Sequence, residues 1–242
     1  MKNLISLKYT FICFFALLIA GCELGLQENF EFDPGEIATD PFVDMTAWEF
    51  IQTRDIKTVN AAGDSVLNVE ELNYMIAAIK RAGFEDLYNG SNRDRTYIIL
   101  TNGAFTGANG IIRIITGAAT VLPGETPDEV MARANVDIIR NILRYHIVDA
   151  YIDQVPTLFL AGQWYIYQTL IEGDDGRIGF LRDERHNISI NAQNPNANPL
   201  FPPAPLPSTA TSRFIGVRNH NYVFKNGIGH MINAYVQNRP YN

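Results

Sequence analysis

The amino-acid sequence predicts an α+β domain, and three stretches of the chain support this class. Apolar residues recur every three or four positions across 69–79, which is the spacing of one helix face. Residues 96–101 are β-branched and aromatic, as in a buried strand. The turn Asn226-Gly227 leads into an apolar strand over 228–236. With 242 residues, of which 47% are hydrophobic, the chain has enough apolar side chains for one sizeable core.

The N-terminus has the pattern of a lipoprotein signal peptide over residues 1–21. Two lysines precede an uncharged apolar run over residues 9–19, which is too short for a permanent membrane span. The run ends in Leu-Ile-Ala-Gly followed by Cys22, which resembles a bacterial lipobox in which the cysteine is acylated. The alternative is an ordinary secretory signal with a chance cysteine. The favoured interpretation predicts that Cys22 is lipidated and anchors the protein in a membrane.

Residues 22–43 are predicted to form an acidic tether. Acidic residues directly behind Cys22 are similar to the export tethers of surface lipoproteins of Bacteroidota, which predicts an outer-membrane protein exposed on the cell surface. The alternative is a generic solvated linker. The formal charge is −7, and loss of the two signal-peptide lysines makes the remaining chain −9. A net acidic protein is a poor partner for nucleic acid.

The helices are predicted from their start and stop signals. Asp44 or Thr46 can cap a first short helix, and Asn68 can cap a second that ends at Gly83. Thr58 to Asp64 is predicted to be a loop. The sequence Thr-Pro-Asp-Glu at 126–129 is a capping box with proline at the first helical position. Helical stretches follow it, whereas residues 107–124 are compatible with either a helix or a strand.

Three stretches together resemble the fasciclin-type (FAS1) domain family and cover most of residues 44–242. The closing stretch 226–233 fits Asn-Gly-x-x-His-x-Ile-(Asp/Asn). The buried strand runs into Thr-Asn-Gly-Ala-Phe at 101–105, where the family usually has an acidic or polar residue in place of Gly103. Residues 143–148 read Leu-Arg-Tyr-His-Ile-Val, similar to the Leu-x-Tyr-His-Val-Val segment of the family. The resulting family marker residues are Thr101, Asn102, Tyr145, His146, Asn226, Gly227 and His230.

The FAS1 resemblance implies a wedge-like β-sandwich with helices packed at one side. In the C-terminal half, strands are expected at 164–167, 177–181 and 187–192, with a hairpin turn at 172–176. Residues 192–212 contain six of the twelve prolines and no charged residue, which predicts a long surface loop inserted in the domain.

His146 and His230 each lie among apolar strand residues, so each is interpreted as a buried neutral imidazole with hydrogen-bond partners. The alternative is a ligand-binding or catalytic histidine. The resemblance treats both as fold markers and also links the Tyr145–His146 pair to adhesion. The four histidines do not match any metal-finger or His-Glu-x-x-His spacing, and no nucleotide or nucleophile motif occurs. The sequence therefore predicts no catalytic residue, metal or cofactor.

Two stretches are candidate binding surfaces. Tyr165 and Tyr167 would lie on one face of a hairpin and could form an exposed aromatic strip, unless a second layer covers them. Phe201 and Leu206 in the proline-rich loop are a second possible contact.

The resemblance implies a non-catalytic module for adhesion or for binding glycan or protein ligands. One alternative is an accessory subunit of a SusC/SusD-like nutrient uptake complex in the outer membrane. A weaker alternative is a hydrolase on an adapted scaffold.

Overall fold

The computed structural model describes residues 40–56, 58–59, 65–117, 120–191, 206, 210 and 215–236. Several predicted features lie outside the described residues: the signal peptide, Cys22, most of the tether, Phe201 and most of the proline-rich loop. Residues 40–242 form one compact unit. Within the described residues, no helix is both long enough and apolar enough to cross a bilayer.

Seven α-helices are described, and most of them are short. In chain order they are α1 (Ala47–Thr53), α2 (Asn73–Ala82), α3 (Glu85–Asn89), α4 (Asn102–Thr106), α5 (Ile111–Thr116), α6 (Pro127–Ala132) and α7 (Val136–Tyr145). Residues 111–116, which the sequence left open between helix and strand, are therefore helical.

Ten described strands form two four-stranded sheets and one small hairpin. The strands are β1 (Thr58–Val59), β2 (Ser65–Val66), β3 (Thr96–Leu100), β4 (Ile147–Val148), β5 (Trp164–Gln168), β6 (Arg177–Arg182), β7 (Ile188–Ile190), β8 (Ile215–Gly216), β9 (Asn219–Phe224) and β10 (Gly227–Ile232). The first sheet has the order β4-β3-β10-β9, and the second has the order β5-β6-β7-β8. Helices together with two mostly antiparallel sheets confirm the predicted α+β class.

The closing strand β10 lies in the middle of the first sheet. It pairs in parallel with β3 and antiparallel with β9, and all six of its residues are buried. A strand covered on both faces needs a continuous apolar run rather than alternation, which explains the composition of 227–232. Gly227 has a φ of 141°, and a Cβ there would collide with the carbonyl oxygen of Arg95, so a side chain at this position is excluded.

Most of the predicted helix signals lie where the structure uses them. Thr46 and Thr126 each accept from the backbone N–H of a glutamate three residues later, and each glutamate bonds back to the cap. Gly83 ends α2 in the left-handed conformation. Tyr145 ends α7, and β4 begins two residues later, as predicted.

The start of α2 differs from the prediction. Asn68 accepts from the N–H of Glu70 in a preceding turn, and the helix begins only at Asn73. Val69 is consequently 56% exposed rather than in the core. Tyr74, which lies off the predicted apolar stripe, is buried and stacks on Phe105 with ring centroids 5.8 Å apart. Long-range packing thus overrides the local helical pattern here.

The ends of two predicted loops also differ from the structure. Residues 58–59, at the start of the predicted loop 58–64, form a short strand that pairs antiparallel with residues 65–66, directly after it. Residues 40–43, predicted as the end of the tether, lie along the domain: the ring of Phe42 is 4.8 Å from that of Phe50 and 5.7 Å from that of Tyr222. The aromatic side chain of Phe42 packs against the domain and fixes this segment. The acidic composition of the surrounding sequence had favoured a solvated tether instead.

Candidate functional site

Asn226 is an internal connector rather than a surface residue. Its side chain is 1% exposed, and its Oδ1 accepts from the N–H of Ala47, the first residue of α1, at 2.9 Å. Its Nδ2 donates to the carbonyl of Tyr88 at 2.8 Å and to the hydroxyl of Tyr97 at 3.1 Å. One amide therefore satisfies buried polar groups from α1, α3 and β3.

Asn102 has a similar role at the other end of β3. Its Oδ1 accepts from the N–H of Tyr74 in the first turn of α2, and its Nδ2 donates to Asn73 Oδ1 and to the carbonyl of Asn68. Thr101 precedes α4, but its side chain makes no capping bond to that helix. Asn102 instead caps a helix remote in sequence, which no local pattern reveals.

Tyr145 and His146 connect α7 to both sheets. The hydroxyl of Tyr145 donates to the carbonyl of Arg177 in β6 at 2.8 Å and accepts from Asn191 Nδ2 at 3.1 Å. His146 Nε2 accepts from the N–H of Val236 at 3.0 Å, so it is unprotonated, and Nδ1–H donates to the carbonyl of Ile142 at 2.7 Å. These contacts define a neutral imidazole, fully buried.

His230 is also neutral and buried, with the opposite tautomer. Its Nδ1 accepts from the N–H of Asn221 at 3.2 Å, and its Nε2–H donates to the carbonyl of Ile152 at 2.8 Å. Burial lowers the pKa of His146 and the pKa of His230 to about 4 each. Both rings therefore hold backbone groups together inside the domain, as the interpretation of neutral buried imidazoles requires.

Tyr165 and Tyr167 do not form an exposed aromatic strip. Their strand neighbours are Phe180 and Ile178, which are fully buried, so this face of the second sheet packs towards the core. Tyr167 is half-buried, and burial raises the pKa of its phenol to about 12. Of the two alternatives, the structure shows the one in which other side chains cover the tyrosines, because both of them pack against the core.

Leu206 is half-buried and lies over the opposite face of β6, where a Cβ built on Gly179 would be 3.4 Å from Leu206 Cδ1. This residue of the proline-rich segment therefore contacts the domain itself. Phe201, the other predicted contact in that segment, lies outside the described residues.

A different surface displays apolar side chains to solvent. Residues 149–163, here called the apolar loop, connect β4 to β5. Four of its side chains, here called the crest, are exposed: Phe159 is 57% exposed, Val155 49%, Tyr151 37% and Leu160 36%. No charged residue occurs between Asp153 and Glu172, so the sequence around most of the crest is uncharged. Clustered exposed apolar side chains on one loop are typical of contact surfaces.

The apolar loop is held by hydrogen bonds rather than by regular structure. Arg182 donates from Nε to the carbonyl of Leu158 and from a terminal nitrogen to that of Phe159, both at 2.6 Å. The N–H of Leu160 donates to the hydroxyl of Tyr165 at 3.0 Å, and the Tyr165 ring lies 6.0 Å from that of Phe159. Tyr165 therefore contacts two crest residues, Phe159 and Leu160, and stabilises their position.

The described residues hold little of the machinery of catalysis. They contain no group of three or more histidine, cysteine, aspartate or glutamate side chains that could hold a metal ion. The carboxyl groups with displaced pKa values, Glu49, Glu125, Glu129 and Asp183, all have a lowered pKa because their carboxylates accept hydrogen bonds. A carboxyl group acting as a general acid at neutral pH needs the opposite shift.

Two described clefts are not lined by any crest residue, and neither holds a pair of carboxylates. One, of about 230 Å³, is lined mainly by small residues of 103–110 and by 233–235. The other, of about 400 Å³, is lined by residues 40–42 and 218–222, with Asp40 as its single acidic side chain. Neither cleft therefore shows the carboxylate pair that a glycosidase-type site requires.

The crest was not predicted from the sequence, although a signal was present. Pro156 and Gly162 mark a loop, and a loop would ordinarily be polar. Phe159 and Leu160 between these two residues, and Val155 directly before Pro156, occur without any charge and are therefore the anomaly that points to a contact surface.

Comparison with solved structures identifies the architecture. The chain is similar to the structure of a FAS1 domain pair from the insect cell adhesion molecule fasciclin I, with a TM-score of 0.51 and 12% sequence identity. The match covers 82% of this chain and 52% of that one, so this chain spans about half the length of the two-domain structure. At this identity the likeness concerns the fold, and the chain has a FAS1-like α+β fold. No family model and no curated protein matches the sequence.

Proposed function

We propose that this protein is a lipid-anchored, non-catalytic binding module of the outer membrane, displayed on the cell surface. The crest is the observation that supports a binding role most directly. The FAS1-like fold agrees with it, since the similar structure belongs to a cell adhesion molecule. A fold alone does not determine a function, so the proposal depends on the site.

The chemistry of the crest favours a protein partner over a glycan. Val155 and Leu160 are aliphatic, and Phe159 has no polar atom, whereas sugar rings need polar groups that exchange hydrogen bonds with their hydroxyls. Buried apolar contacts surrounded by a polar rim are the usual core of a protein interface. We therefore propose that the crest binds an apolar patch on the surface of a partner protein.

The binding role can be tested by replacing Phe159 and Val155 with serine together. Loss of two exposed apolar side chains at the centre of an interface is expected to weaken partner binding by at least about tenfold. Native pulldown of the tagged protein from its own membranes, followed by quantification of each co-purifying protein, measures the loss.

Leu122→Ser is the matched control for this experiment, because Leu122 is 59% exposed but lies outside the apolar loop. A partner retained by Leu122→Ser and lost by the double variant supports the proposal. A partner that the double variant retains in full contradicts the assignment of the crest.

The lipid anchor is tested by Cys22→Ser. Without the thiol no thioether to the lipid can form, so the protein is expected to move from the membrane fraction to the soluble fraction. Intact-mass measurement of the wild-type protein should show cleavage before Cys22 and an added diacylglyceryl group. An unmodified N-terminus at another position would contradict the anchor, and protease shaving of intact cells tests the surface location.

The same pulldown separates the two forms of the binding role. Stoichiometric recovery of an outer-membrane transporter and a SusD-like lipoprotein would make this protein an accessory subunit of an uptake complex. Recovery without them favours adhesion, and arrays of glycans and matrix proteins then identify the ligand class.

A further inference from the structure

Three of the four histidines hold the apolar loop, directly or through Arg182, and each has one ring nitrogen that accepts a hydrogen bond. Gln154, at the base of the loop, is nearly buried, and its Nε2 lies against both the carbonyl of His186 and His220 Nε2, the latter at 3.1 Å. The carbonyl oxygen of His186 is an acceptor, so the Gln154 atom that faces it must be the amide nitrogen and not the amide oxygen. Because an amide nitrogen only donates, His220 Nε2 must be unprotonated.

The second histidine acts through Arg182. One terminal nitrogen of Arg182 donates to His186 Nδ1 at 2.9 Å, while the other nitrogens hold the carbonyls of Leu158 and Phe159. A guanidinium has no acceptor, so His186 Nδ1 must also be unprotonated. His186 therefore holds Arg182 in place, and Arg182 in turn holds the backbone of Phe159, the most exposed residue of the crest.

The third histidine, His230, donates to the carbonyl of Ile152 in the loop and accepts from the N–H of Asn221. Asn221 Oδ1 in turn accepts from the N–H of Gln154 at 3.2 Å. The loop is thus attached to both sheets through histidines whose acceptor nitrogens face obligate donors. If one of these nitrogens carried a proton, its hydrogen bond would be lost, because two N–H donors would then face each other.

We propose that protonation of His220 releases the apolar loop, so that the crest is held in its binding arrangement at neutral pH and is lost in mild acid. This inference rests on the proposed function, since it concerns regulation of the same surface. Histidine is the side chain whose charge changes most readily in this pH range.

The charges around His220 do not cancel the effect. Asp153 on the loop favours a charged ring, whereas His230 on β10 disfavours it, and Asp40 and Arg218 share the cleft that His220 lines. Burial is the largest influence and lowers the pKa of His220 in the clamped state. The clamped loop therefore binds the proton less well than the released loop does.

Around His186 the charges come from its own turn and from β6. Arg182 faces the ring directly, and Asp183, Glu184 and Arg185 precede it in the turn. Asp183 is occupied by hydrogen bonds from Asn187 and from the N–H of Arg185. His186 Nδ1 therefore remains available as the acceptor that holds the Arg182 guanidinium in place.

The test is hydrogen exchange of the ligand-free full chain, followed by mass spectrometry at about pH 7.5 and about pH 5.5, where His230, with its pKa lowered to about 4, stays neutral. After correction for the intrinsic rate, the opening equilibrium of residues 150–162 is expected to rise by up to about tenfold, the limit for one histidine that must be neutral in the clamped loop. Helix α2, as an internal reference, should not change.

A matched variant removes the protonation but keeps the acceptor. His220→Gln places a carbonyl oxygen near the position of Nε2, where it can still accept from Gln154. This variant should keep the loop equally protected at both pH values.

An equal response in wild type and in His220→Gln, or an unchanged loop in the wild type, would overturn the pH mechanism. Exchange that rises equally in α2 and in the loop would also overturn it, because that result reports global unfolding. The experiment uses no ligand, so its failure leaves the binding proposal standing, whereas the serine variants of the crest test binding without reference to pH.

Discussion

Between pH 6.5 and pH 4 the protein is expected to lose about 6 kcal/mol of its free energy of unfolding. The cause is the pair of buried histidines, His146 and His230, whose pKa burial lowers from 6.5 to about 4 in the folded state. Each contributes about 3 kcal/mol across this interval. Single domains typically have about 5–15 kcal/mol in total, so the loss is a large share of the stability.

The direction of the effect follows from proton binding. Above pH 6.5 both rings are neutral in the folded and the unfolded chain, and their full contribution is present. As the pH falls, the unfolded chain takes up protons that the folded core refuses, so stability decreases until about pH 4, where it levels off. Near pH 5 the slope should approach about 2.7 kcal/mol per pH unit, the value for two protons.

Urea denaturation at closely spaced pH values, followed by circular dichroism, measures this slope. The same measurement in His220→Gln removes any contribution of the loop histidine and leaves both buried histidines in place, so the slope due to the buried pair should persist. A free energy of unfolding that stays constant between pH 6.5 and pH 4.5 would show that the two rings are accessible to protons in the folded state.

Asn226→Ala is expected to lower the free energy of unfolding by about 4 kcal/mol. The substitution leaves the N–H of Ala47 and the carbonyl of Tyr88 without their partner, and both lie in the buried interior. Each unpaired buried group costs about 1–3 kcal/mol. Since these groups belong to α1 and α3, loss of one side chain loosens two helices from the sheet.

Urea denaturation at neutral pH tests this prediction, with Asn219→Ala as the matched control. Asn219 is an exposed asparagine in β9, so its replacement should change stability by less than about 0.5 kcal/mol. Equal effects of the two substitutions would mean that the Asn226 contacts do not hold the helices.

The features that the sequence predicted well are local. Capping boxes at Thr46 and Thr126, the left-handed end of α2 at Gly83 and the apolar strand β3 each depend on neighbours within a few residues. The physical signals there lie in the chain segment itself, so a pattern can show them.

The features that it did not predict depend on distant partners. Asn102 caps a helix that begins 29 residues before it, and the start of α2 shifts accordingly. Whether Tyr165 and Tyr167 are covered depends on which face of the second sheet meets the core, and strand alternation alone does not specify that. The crest was overlooked because exposed apolar residues in a loop have the same composition as a buried segment.

The central position of β10 has a consequence for the order in which the domain folds. The partner of β10 across the parallel ladder is β3, which lies more than a hundred residues earlier, so the first sheet cannot close until the chain as far as residue 232 is available. Contacts of such long sequence separation form slowly. In a chain that emerges N-terminus first, β3 would therefore wait with an open edge, and the arrival of β10 would complete the first sheet.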